Sequence, residues 1–159
     1  LSGLDNAMLG GWKDTRAGFL QNALALPAAC REDDALRARA REILEAMGLG
    51  HIMDQPASLL DHAEQRFLEI ARALCMRPRF ILLDEPAGGL TEHEIEQLAA
   101  IVLAMGHAGL GVLIVEHHTD FVFRICDRVT TLNLGSTIAS GSAAEVRANP
   151  EVIRVYLGA

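Results

Sequence analysis

The stretch that most limits what this chain can fold into is Phe80-Ile81-Leu82-Leu83-Asp84-Glu85-Pro86. Four bulky apolar residues run straight into two adjacent carboxylates. A short, wholly apolar run predicts a strand buried on both faces of a parallel sheet. Two acids at its end belong at the carboxyl edge, where open α/β sheets take their ligands. Asp84 could hold Mg²⁺ there, directly or through water, since that ion takes hard oxygen ligands. Glu85 could orient or deprotonate a water aimed at a phosphate. A strand followed by an acidic helix cap fits the same residues. Taken alone, the run leaves these two readings level.

Residues 111–115 predict a second buried strand, ending in Glu116-His117-His118 on the same sheet edge. A metal site from Glu116, His117, His118 and Asp120 has poor spacing, because consecutive residues face different ways. His118 is expected to cap a helix over 120–125. The 159 residues suffice for one compact domain, and half of them are apolar. No apolar run approaches a membrane span, and no charged-then-apolar leader marks secretion. A net charge of −7 argues against a general nucleic-acid binder. Cys30, Cys75 and Cys126 are widely spaced and read as reduced thiols, with Cys75 a packing residue. The phosphate-cradling pattern G-x-x-x-x-G-K-[ST] does not occur in the sequence.

The first eleven residues predict a helix with Leu4, Met8 and Leu1 on one face. Trp12 reads as a partly buried anchor. Phe19, Leu20, Leu24 and Leu26 follow in a less regular stretch. Asp33-Asp34 opens a helix in which Leu36, Ala40, Ile43, Leu44 and Met47 recur at helical spacing, stopped at Gly48 and Gly50. Arg37, Arg39 and Arg41 read as its solvated face. Residues 51–59 form a connector, with Pro56 barring helix. The next helix begins at Asp61-His62-Ala63-Glu64, and its apolar set is Phe67, Leu68, Ile70, Ala71 and Leu74. Asp61 and Glu64 have capping-box spacing and suit the helix dipole. Thr91 and Glu94 repeat that logic before a helix carrying Ile95, Leu98, Ala99, Val102 and Leu103, ended by Gly106. Residues 128–140 predict two strands around Gly135. Two closing helices follow, capped by Ser142 and Asn149.

The order and spacing of Gln65-Arg66-Phe67-Leu68-Glu69-Ile70-Ala71-Arg72-Ala73-Leu74, the acidic strand end, Ala87-Gly88-Gly89-Leu90-Thr91 and Glu116-His117 resemble the ATP-binding subunit of ABC transporters. The tail, from Asp127-Arg128-Val129 through Ile138-Ala139-Ser140-Gly141 and Pro150-Glu151-Val152-Ile153 to Tyr156-Leu157-Gly158, is similar to subunits serving branched-chain amino acid importers. The resemblance implies an α/β, partial P-loop NTPase fold. An α-helical subdomain (residues 1–77) would precede the C-terminal part of the RecA-like core (78–159). It makes residues 80–86 the Walker B strand, Glu85 the catalytic glutamate and Asp84 the Mg²⁺ residue. Residues 88–91, with Gly89 and Thr91 towards nucleotide, match the D-loop, and His117 matches the switch histidine that meets the γ-phosphate. The implied ligands are ATP and Mg²⁺.

One region departs from the family. Where the signature reads approximately Leu-Ser-Gly-Gly-Gln or Leu-Ser-Tyr-Gly-Gln, this chain has Leu60-Asp61-His62-Ala63-Glu64. The family serine and glycine face a γ-phosphate held by the other subunit. Asp61 and Glu64 would bring negative charge towards that polyanion, and Ala63 adds a methyl where close approach is wanted. The opening at Leu1 and the lack of a phosphate loop and glutamine loop are read as a missing N-terminal part, so the chain alone is expected to bind ATP weakly or not at all.

The implied partners are a second ABC ATPase subunit, integral-membrane permease subunits and, indirectly, a periplasmic solute-binding protein, with no nucleic acid. The implied location is cytoplasmic, peripheral on the inner face of the cell membrane. The isolated chain is expected to self-associate through an exposed apolar edge. A non-catalytic binding or regulatory module of the same fold is the alternative. A metal-dependent hydrolase built on the acid and histidine edge alone is weaker.

Overall fold

The computed structural model describes residues 1–14 and 27–157. Phe19, Leu20, Leu24, Leu26 and Gly158 lie outside them. The chain divides into two compact units, Leu1–Ile81 and Leu82–Ala159. Each is described by itself below.

The first unit is helical. Helix α1 (Gly3–Gly11) starts at Ser2, whose hydroxyl accepts the Asp5 N–H at 3.1 Å while the Asp5 carboxylate accepts the Ser2 N–H at 3.2 Å. This reciprocal cap satisfies donors that a helix start leaves unpaired. Two more of them, the N–H groups of Gly3 and Leu4, donate to the carbonyls of Gln55 and Met53. The connector of residues 47–60 therefore closes over the start of α1. Leu4 and Met8 are buried as their spacing predicts, whereas Leu1 precedes the helix and is exposed.

Helix α2 (Pro27–Ala46) begins six residues before Asp33, with a proline in its first turn, where the missing N–H costs nothing. Its buried residues include Leu36, Ala40 and Leu44. The arginine run is not uniformly solvated. The Arg39 guanidinium reaches the Cys75 carbonyl at 3.1 Å, serving the last turn of helix α3 (His62–Cys75). Arg41 reaches the Met53 sulfur at 3.6 Å. Trp12 is 63% exposed, less covered than the partly buried anchor that the sequence suggests.

Helix α3 buries Ala63, Phe67, Leu68, Ile70, Ala71 and Cys75. Burial lifts the Cys75 thiol above its ordinary range, consistent with a packing role. Helix α1 packs on both α2 and α3. Its approach to α3 is so close that a Cβ on Gly10 would lie 1.8 Å from the Arg72 carbonyl oxygen.

The second unit begins within strand β1 (Phe80–Asp84), which pairs with β2 (Gly111–Val115) through the connecting helix α4 (Glu92–His107). Thr91 and Glu94 form the expected capping box. Ile95, Leu98, Ala99, Ile101, Val102 and Met105 are buried; Leu103 is 41% exposed. The helix runs through Gly106 to His107 rather than stopping at the glycine. Helix α5 (Thr119–Ile125) follows β2, with the His118 ring nitrogen Nδ1 accepting the Phe121 N–H as its cap.

Strands β3 (Val129–Asn133) and β4 (Ser136–Gly141) form an antiparallel hairpin, irregular between Thr131 and Leu132. Its tip, Leu134-Gly135, has φ of 48° and 81°, the positive values that two-residue hairpin loops use. Helices α6 (Ala143–Arg147) and α7 (Pro150–Val152) pack behind it. Val129, Val146 and Val152 form a core there, joined by Val122, Phe123 and Ile138. Among the described residues no helix is long and apolar enough to cross a membrane.

Both central strands were expected to be buried on both faces. Instead Phe80 and Leu82 are 72% and 73% exposed, and Leu113 and Val115 are each 59% exposed. Burial alternates along β1 because a two-stranded sheet with one packed face shelters only every second side chain. An apolar surface of this kind favours association. The chain is expected to form dimers or larger species at tens of micromolar, and Leu113→Lys to shift it towards monomer. Light scattering that shows only monomer across a wide concentration range overturns this.

The glycines supply a second test. Gly10→Ala must push two helices apart and is expected to destabilise the helical unit by about 1–3 kcal/mol. Nothing lies within 4 Å of a Cβ built on Gly106. Gly106→Ala in helix α4 is expected to stabilise by about 0.5–1 kcal/mol. Urea unfolding of the two variants against the parent checks both signs.

Candidate functional site

Strands β1 and β2 end side by side. The N–H of Glu85, one residue past the end of β1, donates to the carbonyl of Val115, the last residue of β2, at 2.8 Å. Glu85 itself has φ of 45°. That is left-handed backbone, uncommon for a residue other than glycine and concentrated at functional positions. The chain then turns tightly, with Gly88 N–H to Glu85 carbonyl at 3.1 Å and Leu90 N–H to Ala87 carbonyl at 3.2 Å. Gly89, at φ 75°, completes the turn into the Thr91 cap.

Two candidate residues meet on this edge. His117 Nδ1 lies 3.6 Å from Glu85 Oε1, with the two side chains 73% and 63% exposed. An acid and an imidazole thus face each other across the ends of neighbouring strands, open to solvent. Asp84, the residue before Glu85, is exposed as well. Gly89 and Thr91 sit on the same turn. The Thr91 hydroxyl donates to the Glu94 carboxylate at 2.8 Å, so its proton serves the helix cap.

Sequence reasoning gave Glu116 no role of its own. Its side chain is only 1% exposed, although it follows the exposed Val115 and precedes the exposed His117. It accepts the Ala87 N–H on Oε1 at 2.8 Å, and the His117 and His118 N–H groups on Oε2 at 3.0 and 3.3 Å. Among the described residues no group of three or more His, Cys, Asp or Glu side chains could hold a metal ion. A cluster of Glu116, His117, His118 and Asp120 does not form, because Glu116 turns towards backbone donors and His118 caps α5.

The remaining candidates, Asp61, His62, Ala63 and Glu64, form one turn at the start of α3 in the helical unit. The capping box is complete: Asp61 Oδ1 accepts the Glu64 N–H at 2.8 Å, and Glu64 Oε2 accepts the Asp61 N–H at 3.0 Å. Glu64 Oε1 also meets His51 Nε2 at 2.8 Å, a contact the sequence did not announce. Ala63 is 7% exposed, so its methyl belongs to the helical core, while Asp61 and His62 are exposed.

The chemistry of the donor set fits part of a nucleotide site. Asp84 and Glu85 offer hard, exposed oxygens suited to Mg²⁺ and to a water. The lysine-bearing phosphate loop is not in the sequence.

A family model described as "ABC transporter" matches residues 11–88, and one described as "Branched-chain amino acid ATP-binding cassette transporter" matches residues 136–159. The chain is 35% identical, over 98% of its length and 61% of the relative's, to the high-affinity branched-chain amino acid transport ATP-binding protein LivG of Salmonella typhimurium. It is 37% identical, over 91% of its length and 58% of the relative's, to the lipopolysaccharide export system ATP-binding protein LptB of Escherichia coli. Among solved structures, the ADP conformation of MJ1267, an ATP-binding cassette of an ABC transporter, superposes with a TM-score of 0.77 at 27% identity. That match covers 100% of this chain and 63% of the other. The chain thus spans about three fifths of the length of the relatives it matches. Over that stretch the fold is that of an ABC ATPase cassette, and the sequence is similar to the ATP-binding domains of ABC transporters.

Proposed function

We propose that this chain is the C-terminal part of an ATP-binding and ATP-hydrolysing subunit of an ABC importer for branched-chain or related amino acids. The observation that carries the reading is the exposed Glu85–His117 pair, 3.6 Å apart at the carboxyl edge of β1 and β2. Glu85 would orient the attacking water and take its proton. His117 would donate to the terminal phosphate or hold that water, and Gly89 and Thr91 would border the nucleotide. Asp84 would hold Mg²⁺, directly or through water; the ion supplies neutralising charge to the phosphates. The match of residues 136–159 to the branched-chain model supports the solute class over lipopolysaccharide export.

The partners in this reading are a second ATPase subunit and membrane permease subunits, with a periplasmic solute-binding protein acting through them. The subunit would sit on the inner face of the cell membrane. A non-catalytic module is the second reading, and the start of α3 favours it. The Asp61 and Glu64 N–H groups already end on the segment's own carboxylates, where a partner's phosphate would need donors.

Calorimetry with Mg-ATP on this chain, and on the chain joined to the N-terminal phosphate-loop segment of a related subunit, separates the readings. The joined chain is expected to bind and turn over ATP, and the present chain to bind weakly or not at all. In the joined chain Glu85→Gln is expected to lower kcat by about 10²–10⁴-fold with nucleotide binding retained. Silence in both chains favours the module.

The altered signature has its own test. Asp61→Ser with Glu64→Gln keeps a capping box while removing two negative charges. In the joined chain this double substitution is expected to raise kcat/KM at least tenfold, about 1.4 kcal/mol of transition-state stabilisation. An unchanged value assigns Asp61 and Glu64 to helix capping alone.

A further inference from the structure

Glu116 is a nearly fully buried carboxylate that the chemistry above does not use. Taking such a group out of water is costly unless hydrogen bonds replace the lost hydration. Here backbone N–H groups replace it, and their distribution is informative. Oε1 takes the Ala87 N–H, two residues after Glu85. Oε2 takes the N–H of His117, and at 3.3 Å that of His118. One side chain thus ties the turn that carries the candidate acid to the turn that carries the candidate histidine. The backbone bond from Glu85 N–H to the Val115 carbonyl lies beside it. An apolar side chain could fill this position but could not join the two turns.

We propose that Glu116 is a positioning residue for ATP hydrolysis. It holds the Glu85 turn and the His117 turn in one register, so that their side chains face each other. The proposal rests on the reading of Glu85 and His117 as the water-facing and phosphate-facing pair. Well-placed reactive groups depend on supporting hydrogen bonds in this way. Both oxygens are needed. A glutamine at this position keeps the shape but turns one acceptor into a donor, which meets a backbone N–H at one end of the strap.

The first arm of the test uses the present chain and amide hydrogen exchange followed by NMR. Glu116→Gln and Glu116→Leu are expected to speed exchange at least tenfold at Ala87, His117 and His118. Leu98 and Val102 in helix α4 and the melting temperature should stay at parent values. A further readout is one that a purely structural role would leave untouched. In the parent, Glu85→Gln should shift the His117 ring resonances; in the Glu116→Leu background the same substitution should leave them in place. Unchanged exchange in Glu116→Gln overturns the proposal. So does faster exchange of Leu98 and Val102 in step with Ala87, or an equal His117 response in both backgrounds.

The second arm uses the joined chain. Glu116→Gln is expected to lower kcat at least tenfold while KM for ATP stays within twofold, and Glu116→Asp to recover part of the loss. A kcat equal to the parent's overturns the proposal. If the joined parent turns over no ATP, the functional reading fails, and the exchange arm alone decides whether Glu116 couples the two turns.

Discussion

The candidate site depends on one backbone hydrogen bond, from the Glu85 N–H to the Val115 carbonyl. Neighbouring strands joined through a helix need not end level. Here this bond sets their ends together, so that the residues leaving each strand emerge side by side. Glu85 leaves β1 in a left-handed turn, and Glu116 and His117 leave β2. The exposed acid–imidazole pair, the buried Glu116 carboxylate and the turn into α4 all follow from that levelling. The apolar strand residues supply the packing; the polar backbone supplies the alignment.

The start of α3 shows the same physics put to another use. A helix N-terminus offers unpaired N–H groups and a positive dipole end, which an anion can take. In this chain the anions are built in: Asp61 and Glu64 take each other's N–H, and His51 steadies Glu64 from the connector. Those contacts favour the helix whatever nucleotide does. Local stability and ligand binding draw on the same donors, which is why the segment fits both a working subunit and a module that has left catalysis.

Much of this was legible in the residues. The strand ending in Asp84-Glu85, the capping boxes at Asp61 and Thr91, and the Ser142 and His118 caps each follow from local chemistry with few competitors. The shared sheet edge of Glu85 and His117 follows from the two predicted strands and their roles from the family resemblance, but nothing in the spacing of residues 85 and 117 sets their distance. What stayed hidden depended on tertiary context. Arg39 looked solvated because the Cys75 carbonyl it serves is 36 residues away. Helix α2 starts early because proline is well placed in a first turn, where it looks in isolation like a breaker. Exposure along β1 reflects how many strands and layers cover it, which the strand's own composition does not record. Glu116 was overlooked for a similar reason: its partners are backbone groups, and backbone groups leave no mark in a sequence.

The left-handed backbone at Glu85 puts chemistry and folding in opposition at a single residue. The conformation suits glycine or asparagine better than glutamate, so the proposed role keeps a side chain where the main chain would accept a simpler one. Genetic drift at this codon would then relax the turn while emptying the site. On the proposed reading, one replacement of Glu85 by glycine would remove the water-facing carboxylate and relax the turn together, and the fold would carry no sign of the change.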